Sequence, residues 1–477
     1  MSHPAPFAAT LIALAIASPP LLAADNATQL QQLQQEIAAM RKDYEAQLKA
    51  LEVRLKQAET SLAAQPATDS TARAPTSAGA PAAMESPPAT QAATPTPTPA
   101  TAQSSASAFN PAIALVLSGS YSSFSQDPTQ YRIPGFLAGG EIGPGVQGFS
   151  LGESELTLSA TIDPWFFGSM SLALAADNSA SVEEAFIQTT SLPGGLGLKA
   201  GRYLSSVGYQ NDKHPHTWDF INAPLAYQVF LGGALTQDGL QFKAVLPTSQ
   251  FIELGGGIGA AGEYPSGTGN RKKPGTGTLF AHTGGDVGVS NSWRAGASMV
   301  WAKAYDRAFE DIDNAGNPVS NVFTGNSRLA ILDGVWKWSP NGNAKSTSLT
   351  LQGEYFHRTE SGSLVYDEGG QALGDIYRSA QSGWYAQAVY KFLPAWRVGL
   401  RYDRLDLGNV NASSNTANLF LPEYSPNRTT LMFDWSPSEY SRVRLQLAQD
   451  RARYGLTDNQ IMIQYQMSLG SHGAHGF

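Results

Sequence analysis

The sequence predicts an all-β transmembrane barrel of about sixteen antiparallel strands, preceded by a coiled-coil helix and a disordered Pro/Ala/Thr linker. Three observations carry this. No stretch of 18 apolar residues occurs anywhere, so any passage through a membrane has to be made by a closed barrel. From Phe109 onward, apolar and polar residues alternate in pieces of about ten, the length a tilted strand needs to cross a bilayer. The connections between those pieces alternate between tight turns and longer polar segments, as in an up-and-down barrel.

The first element, residues 1–24, reads as a signal peptide: Phe7 to Ala17 is almost unbroken apolar sequence, followed by Pro19-Pro20 and the small pair Ala23-Ala24. Residues 25–62 read as a coiled-coil helix placed in the periplasm. Leu30, Leu33, Ile37 and Met40, then Leu48, Leu51 and Leu55, recur at steps of three and four, with a stutter between Tyr44 and Leu48. A lone helix with this seam leaves a leucine stripe in water, so the seam predicts self-association, and its mixture of Leu and Ile permits three chains. Residues 63–108, rich in Ala, Pro, Thr and Ser and including Thr94 to Pro99 as three Thr-Pro repeats, cannot bury a core and read as a tether. Stretched at ~3.1 Å per residue the tether covers on the order of 140 Å.

Residues 109–477 supply the barrel. Outward parity is clearest late in the chain, where Ile461, Ile463, Tyr465, Met467 and Leu469 alternate with Met462, Gln464, Gln466 and Ser468. Tight turns are expected at Asp163-Pro164, Leu192 to Gly195, Pro247-Thr248, Asn291-Ser292, Pro340 to Gly342, Leu393-Pro394 and Pro437-Ser438. Long connections are expected near 126–147, 206–231, 263–276, 305–325, 360–378 and 409–425. Trp165, Trp293, Trp336, Trp338, Trp396 and Trp435 all stand beside a tight turn, the arrangement of an interfacial aromatic girdle. Phe477 falls in register with the outward series, as a terminal assembly signal for the barrel-assembly machinery would.

Composition narrows the function classes. A net charge of −8 with 15% charged residues gives no basic surface for nucleic acid. The absence of cysteine removes disulfides, thiolate metal sites and lipoprotein attachment. No Gly-x-Ser-x-Gly elbow or zinc-protease helix is present, so an enzyme is not expected, nor any cofactor.

The stretch from Leu151 to Ala160 (LGESELTLSA), with Asp163-Pro164-Trp165-Phe166-Phe167-Gly168 and Leu198-Lys199-Ala200-Gly201-Arg202-Tyr203, resembles the porins of Gram-negative outer membranes. It is similar to the phosphate-selective-type group, and nearest to coiled-coil-bearing proteobacterial relatives sometimes labelled zinc-regulated outer-membrane receptors. The resemblance covers Phe109 to Phe477 and implies a homotrimer of sixteen-stranded barrels in the outer-membrane lipid bilayer. It also implies passive, modestly selective diffusion of small hydrophilic solutes or ions. Two alternatives stand beside that function. One is a metal-starvation-linked receptor or uptake channel for zinc or a chelate; the other is an envelope tether that reaches the cell wall through the coiled coil. A plugged receptor fits less well, because residues 25–108 hold no globular core.

In porins the third connection on the side opposite the tight turns, counting the short one near 176–180, folds into the pore. Here residues 206–231 carry Asp212, Lys213, His214, His216, Trp218 and Asp219, which makes this segment the candidate constriction. Inward parity adds Arg397, Arg401, Arg442 and Arg444 on late strands, and Glu153 and Glu155 on the second. Arginines facing acidic loop residues across a narrow lumen would set a transverse field, or would pair structurally across it. His214-x-His216 and His472-x-x-His475 have spacings at which imidazoles can share a zinc ion, as weak candidates only, and His282 shares inward parity with Asp286.

Overall fold

Alternation at period two gives each strand one apolar and one polar face, and a sheet built from such strands escapes exposed edges only by closing on itself. The computed structural model describes residues 111–139, 142–175, 179–260, 264–267 and 273–470. The signal segment, coiled-coil seam, linker, His472, His475 and Phe477 lie outside the described residues. Seventeen strands form one antiparallel sheet: β1 (Ala112–Phe124), β2 (Gly148–Ser150), β3 (Ser154–Asp163), β4 (Phe166–Leu174), β5 (Ala180–Thr189), β6 (Leu196–Leu204), β7 (Thr236–Val245), β8 (Phe251–Ala260), β9 (Pro274–Val287), β10 (Asn291–Ile312), β11 (Pro318–Trp338), β12 (Ser348–Tyr366), β13 (Leu373–Leu393), β14 (Trp396–Asn411), β15 (Asn427–Ser438), β16 (Ser441–Asp450) and β17 (Asp458–Gly470). β2 and β3 both pair with β1 and make one interrupted stave, so the strands form the expected sixteen staves. β1 and β17 close the barrel, from Ala114 opposite Gly470 to Phe124 opposite Gln460.

Two expected long connections are largely strand. β10 and β11 continue as a paired hairpin to Ile312 and Pro318, leaving only 313–317 as loop. A register shift between Ala304 and Arg307 moves the inward set from even to odd positions, so the alternation breaks on paper while the hairpin continues in space. β12 and β13 likewise run to Tyr366 and from Leu373. There the outward residues Ser361 and Ser363 are polar, so this part of the strand carries no apolar face and reads as loop. The turn expected at Asn291-Ser292 lies instead at 288–290. Asn291 already pairs with Val287 and Trp338, and Gly288 (φ +63°) takes the left-handed conformation the turn needs. The turns expected at Leu393-Pro394 and Pro437-Ser438 fall slightly later, since Leu393 still pairs with Trp396 and Ser438 with Ser441.

Outward faces are apolar: Leu400, Leu445, Leu447, Ile461, Ile463, Tyr465 and Leu469 are all exposed. At the tight-turn end, Trp396 stacks on Trp435 (centroids 5.9 Å apart) and Trp293 pairs across strands with Trp336. A second exposed aromatic set, Tyr121, Trp301, Tyr355 and Trp384, lies further up the strands. Trp301 is eight residues beyond Trp293, ~27 Å along a strand and ~20 Å in height at a tilt near 40°. The inward faces are polar and charged, and Arg401, Asp403, Arg428, Asp434, Arg444 and Gln446 are almost wholly buried there.

Candidate functional site: the segment folded inside the barrel

The connection 205–235 lies inside the barrel and carries one short helix, α1 (Leu225–Leu231). Pro224 precedes it and Gly232 (φ +68°) ends it in the left-handed conformation. All seven helical residues are buried, and the one polar amide among them, Gln228, is satisfied by Ala223 O (3.0 Å) and Gly143 N (3.1 Å). Tyr227, Val229 and Phe230 pack in one cluster with Phe356, Tyr385 and Leu405 of the wall.

Wall groups supply the hydrogen bonds that the segment's backbone loses on leaving water. Asp403 Oδ1 accepts from Leu225 N (3.0 Å) at the first turn of α1, where a negative charge is favoured. Arg428 donates to the carbonyl of Ala223 (2.6 Å). Arg358 donates to the carbonyls of Val229 and Leu137 (both 3.3 Å) and to Tyr264 Oη, binding three connections at once. Glu354 accepts from Tyr209 N (3.1 Å), Gln210 N (3.2 Å), Tyr227 Oη (3.0 Å) and Tyr385 Oη (2.6 Å).

The candidate arginines belong to this fastening. Arg442 donates to the carbonyl of His216 and to Gln466 (both 2.6 Å), and Arg444 to the carbonyl of Trp218 (2.9 Å). Arg401 bonds the carbonyl and the side chain of Asn222 (2.9 and 2.8 Å) and lies over the Phe220 ring. Arg397 bridges Asp219 and Asp434 (2.8 Å each), and Asp434 is also 3.7 Å from Arg442 and from Arg444.

His214 and His216 stand at the acidic end of the segment. His214 Nδ1 is 2.9 Å from Glu183 Oε2 and 3.2 Å from Glu155 Oε2, and its Nε2 is 3.0 Å from Glu184 Oε2. His216 Nδ1 is 2.9 Å from Glu155 Oε2, and the two imidazoles stack with centroids 5.7 Å apart. Burial alone would lower the His214 pKa, but hydrogen bonds to Glu155, Glu183 and Glu184 outweigh it and hold the ring protonated well above its ordinary range. Lys213, over the Tyr209 ring, has its ammonium pushed down to about 8 by burial.

Of the remaining candidates, Asp212 is exposed and Glu153 sits half-buried in the break between β2 and β3. His282 pairs with Glu253 (3.0 Å), whereas Asp286 is exposed close to the tight turn, so these two do not meet. Sequence reasoning missed Glu183 and Glu184. Consecutive strand residues ordinarily face opposite ways, but Ser171 pairs with Glu184 and Leu172 with Val182, which leaves Glu183 as an extra, bulged residue. The bulge turns both carboxylates inward. An acidic doublet within an amphipathic strand was the available signal. Glu354, Arg358, Asp403 and Asp434 were also missed, because parity shows that a residue faces inward and not what it will bind.

No protein-family profile matches the chain. Among solved structures, the chain is similar to the loop L8 deletion mutant of OmpT, an outer membrane protein of Vibrio cholerae (TM-score 0.47, 11% identity, 76% of this chain and 99% of that one). It is similar to an anion-selective porin from Comamonas acidovorans (TM-score 0.45, 9% identity, 76% and 99%). It is also similar to the outer membrane channel DcaP of Acinetobacter baumannii (TM-score 0.44, 11% identity, 76% and 96%). In sequence it is 31% identical over 396 residues to an uncharacterized protein of Aquifex aeolicus (strain VF5), covering 78% of this chain and 80% of that protein. At that identity and coverage, the chain belongs to the family of the Aquifex aeolicus protein.

Proposed function

We propose that the protein is an outer-membrane porin, giving passive diffusion of small hydrophilic solutes or ions through a passage narrowed by residues 205–235. The observation that carries this reading is a closed barrel, apolar outside between two aromatic sets and polar inside, with the connection 205–235 fastened along its inner wall. A soluble barrel gains nothing from an exposed leucine and isoleucine belt, and a purely structural barrel has no need of a charged interior. The groups left partly accessible within it carry both signs: Lys243, Asp219, His214 and Arg397 have side chains 33, 24, 18 and 16% exposed. Mixed charge of this kind favours modest selectivity by charge and dipole over a dedicated anion track. The leucine seam of residues 25–62 supports assembly of three copies.

Single-channel recording of the full chain in planar bilayers, with reversal potentials under a KCl gradient, tests the reading. Steady conductance in triplets is the expected result. Correctly folded protein that stays silent would overturn it.

A further inference from the structure

We infer that Glu155, Glu183, His214 and His216 form a binding site for a borderline divalent cation such as Zn²⁺, with Glu184 orienting His214 from behind. The inference goes beyond the porin reading and does not require the barrel to conduct. It rests first on geometry. The ligand atoms of Glu155, Glu183 and His214 lie within 4.8 Å of one another. Adjacent pairs stand 2.9 Å (His214–Glu183), 3.2 Å (His214–Glu155) and 2.9 Å (His216–Glu155) apart. Four ligands about 2.0 Å from a tetrahedral zinc stand about 3.3 Å from each other, so small side-chain movements suffice to close the shell. Glu155 Oε2, on a side chain only 4% exposed, lies within 3.2 Å of both imidazole Nδ1 atoms, so one carboxylate oxygen joins the two rings.

The second argument is the outer partner. Glu184 Oε2 lies 3.0 Å from His214 Nε2, so when a metal replaces the Nδ1 proton this carboxylate accepts the remaining Nε2 proton and keeps Nδ1 turned toward Glu155 and Glu183. A carboxylate behind a histidine is the usual means of fixing the tautomer of a metal ligand. The third is that the chain bends to assemble the set: only the bulge at Glu183 places both acids of β5 on the inner face. Two imidazoles with two carboxylates suit zinc, cobalt or nickel better than magnesium or calcium, which take oxygen alone. A divalent ion held by these atoms places positive charge among three carboxylates and ties the loop to β3 and β5.

The test is calorimetric titration of the detergent-folded full chain with Zn²⁺, together with visible absorption of the Co²⁺ form, which reports nitrogen and oxygen ligands directly. One tight zinc site per chain is expected. H214A and E183Q should each weaken it at least tenfold, and E184Q should weaken it about 10- to 100-fold, the usual loss of an outer-shell partner. H214R keeps a cation against the three carboxylates and so preserves the loop, judged by heat-modifiable migration and protease resistance, but should lose zinc as H214A does. Two controls, H282A at the separate His–Glu pair and the double variant H472A/H475A, should bind as the parent does. Absence of zinc uptake by the parent protein, or binding retained in H214R, would overturn the site. Because zinc is measured without a bilayer, failure here is distinct from failure to conduct.

Discussion

The guanidinium of Arg358, 1% exposed, donates to backbone carbonyls of two connections and to the Tyr264 hydroxyl of a third, while its Nε lies 3.6 Å from Glu360. A buried cation of this kind is costly to desolvate, and only the full set of acceptors compensates it. Removing it leaves the Leu137 and Val229 carbonyls to share the single Tyr264 hydroxyl (3.1 and 2.8 Å) and takes the guanidinium from Gln381 Oε1, while Glu360 keeps Arg307 at 2.7 Å. Arg358→Met should therefore destabilise the folded barrel by roughly 3–5 kcal/mol. It should also expose 131–139 and 225–232 to protease before the strands unfold, measured by urea titration in vesicles with limited proteolysis. Gly208 makes the same point through the backbone. Its φ of +67° and the nearness of a Glu354 carboxylate oxygen leave no place for a Cβ, and its N–H bonds Ser298 Oγ at 3.1 Å. Gly208→Ala should cost ~1–3 kcal/mol through the left-handed conformation alone, whereas Gly233→Ala, with nothing near its Cβ, pays only the backbone cost. An equal loss in urea stability for both variants would show that the Glu354 contact contributes nothing.

At the scale of the element, the hairpin of β10 and β11 shows what polar sequence can conceal. Its closing loop, 313–317, is organised by Asp313, whose carboxylate accepts from Ala315 N (2.9 Å), Asn317 N (2.7 Å), Asn317 Nδ2 and Tyr366 Oη (both 3.0 Å). Hydrogen bonds from Asn317 hold its pKa below the ordinary carboxylate value. A depressed carboxylate contributes its stability above the unfolded pKa, near 3.9, and loses it as pH falls through the lower folded value. Exchange protection of the Ala315 and Asn317 amides should accordingly be full at pH 6 and disappear in strongly acid solution, and Asp313→Asn should lack it at both. Unchanged protection in acid would show that the loop is held by pairing alone. The sixteen staves were legible because an apolar face repeats wherever a strand meets lipid. The ends of β10 to β13 were not legible, since beyond the apolar belt water bathes the outer face and the shift between Ala304 and Arg307 resets the parity. The placement of residues 205–235 followed from resemblance. Its fastening by Glu354, Arg358, Asp403 and Asp434 depends on contacts between strands far apart in sequence, which no single alternating pattern records.

For the whole molecule, the outer surface sets the constraint that the interior does not. Leu400 is 53% exposed on β14, directly above the Trp396–Trp435 stack, and its neighbours across the sheet are Leu431 and Ala388. The inward residue next to it, Arg401, is buried among acceptors, so parity alone separates a site that welcomes a guanidinium from one that must exclude it. Leu400→Arg should cost ~2–4 kcal/mol in a bilayer, the range for a cation near the midplane of a barrel, whereas Leu393→Arg at the tight-turn end should cost ~0–1 kcal/mol. The comparison is read from reversible urea folding into thin phosphatidylcholine vesicles, with detergent-folded protein as the reference. A depth-dependent loss in vesicles that vanishes in detergent locates the exposed leucine belt in lipid. Equal, small losses at both positions would instead mean that the belt is covered by protein, as it would be if neighbouring barrels packed along β14. Deleting residues 25–108 separates those cases, since a trimer held only by the leucine seam then falls to monomers and lays bare any face that its partners had covered.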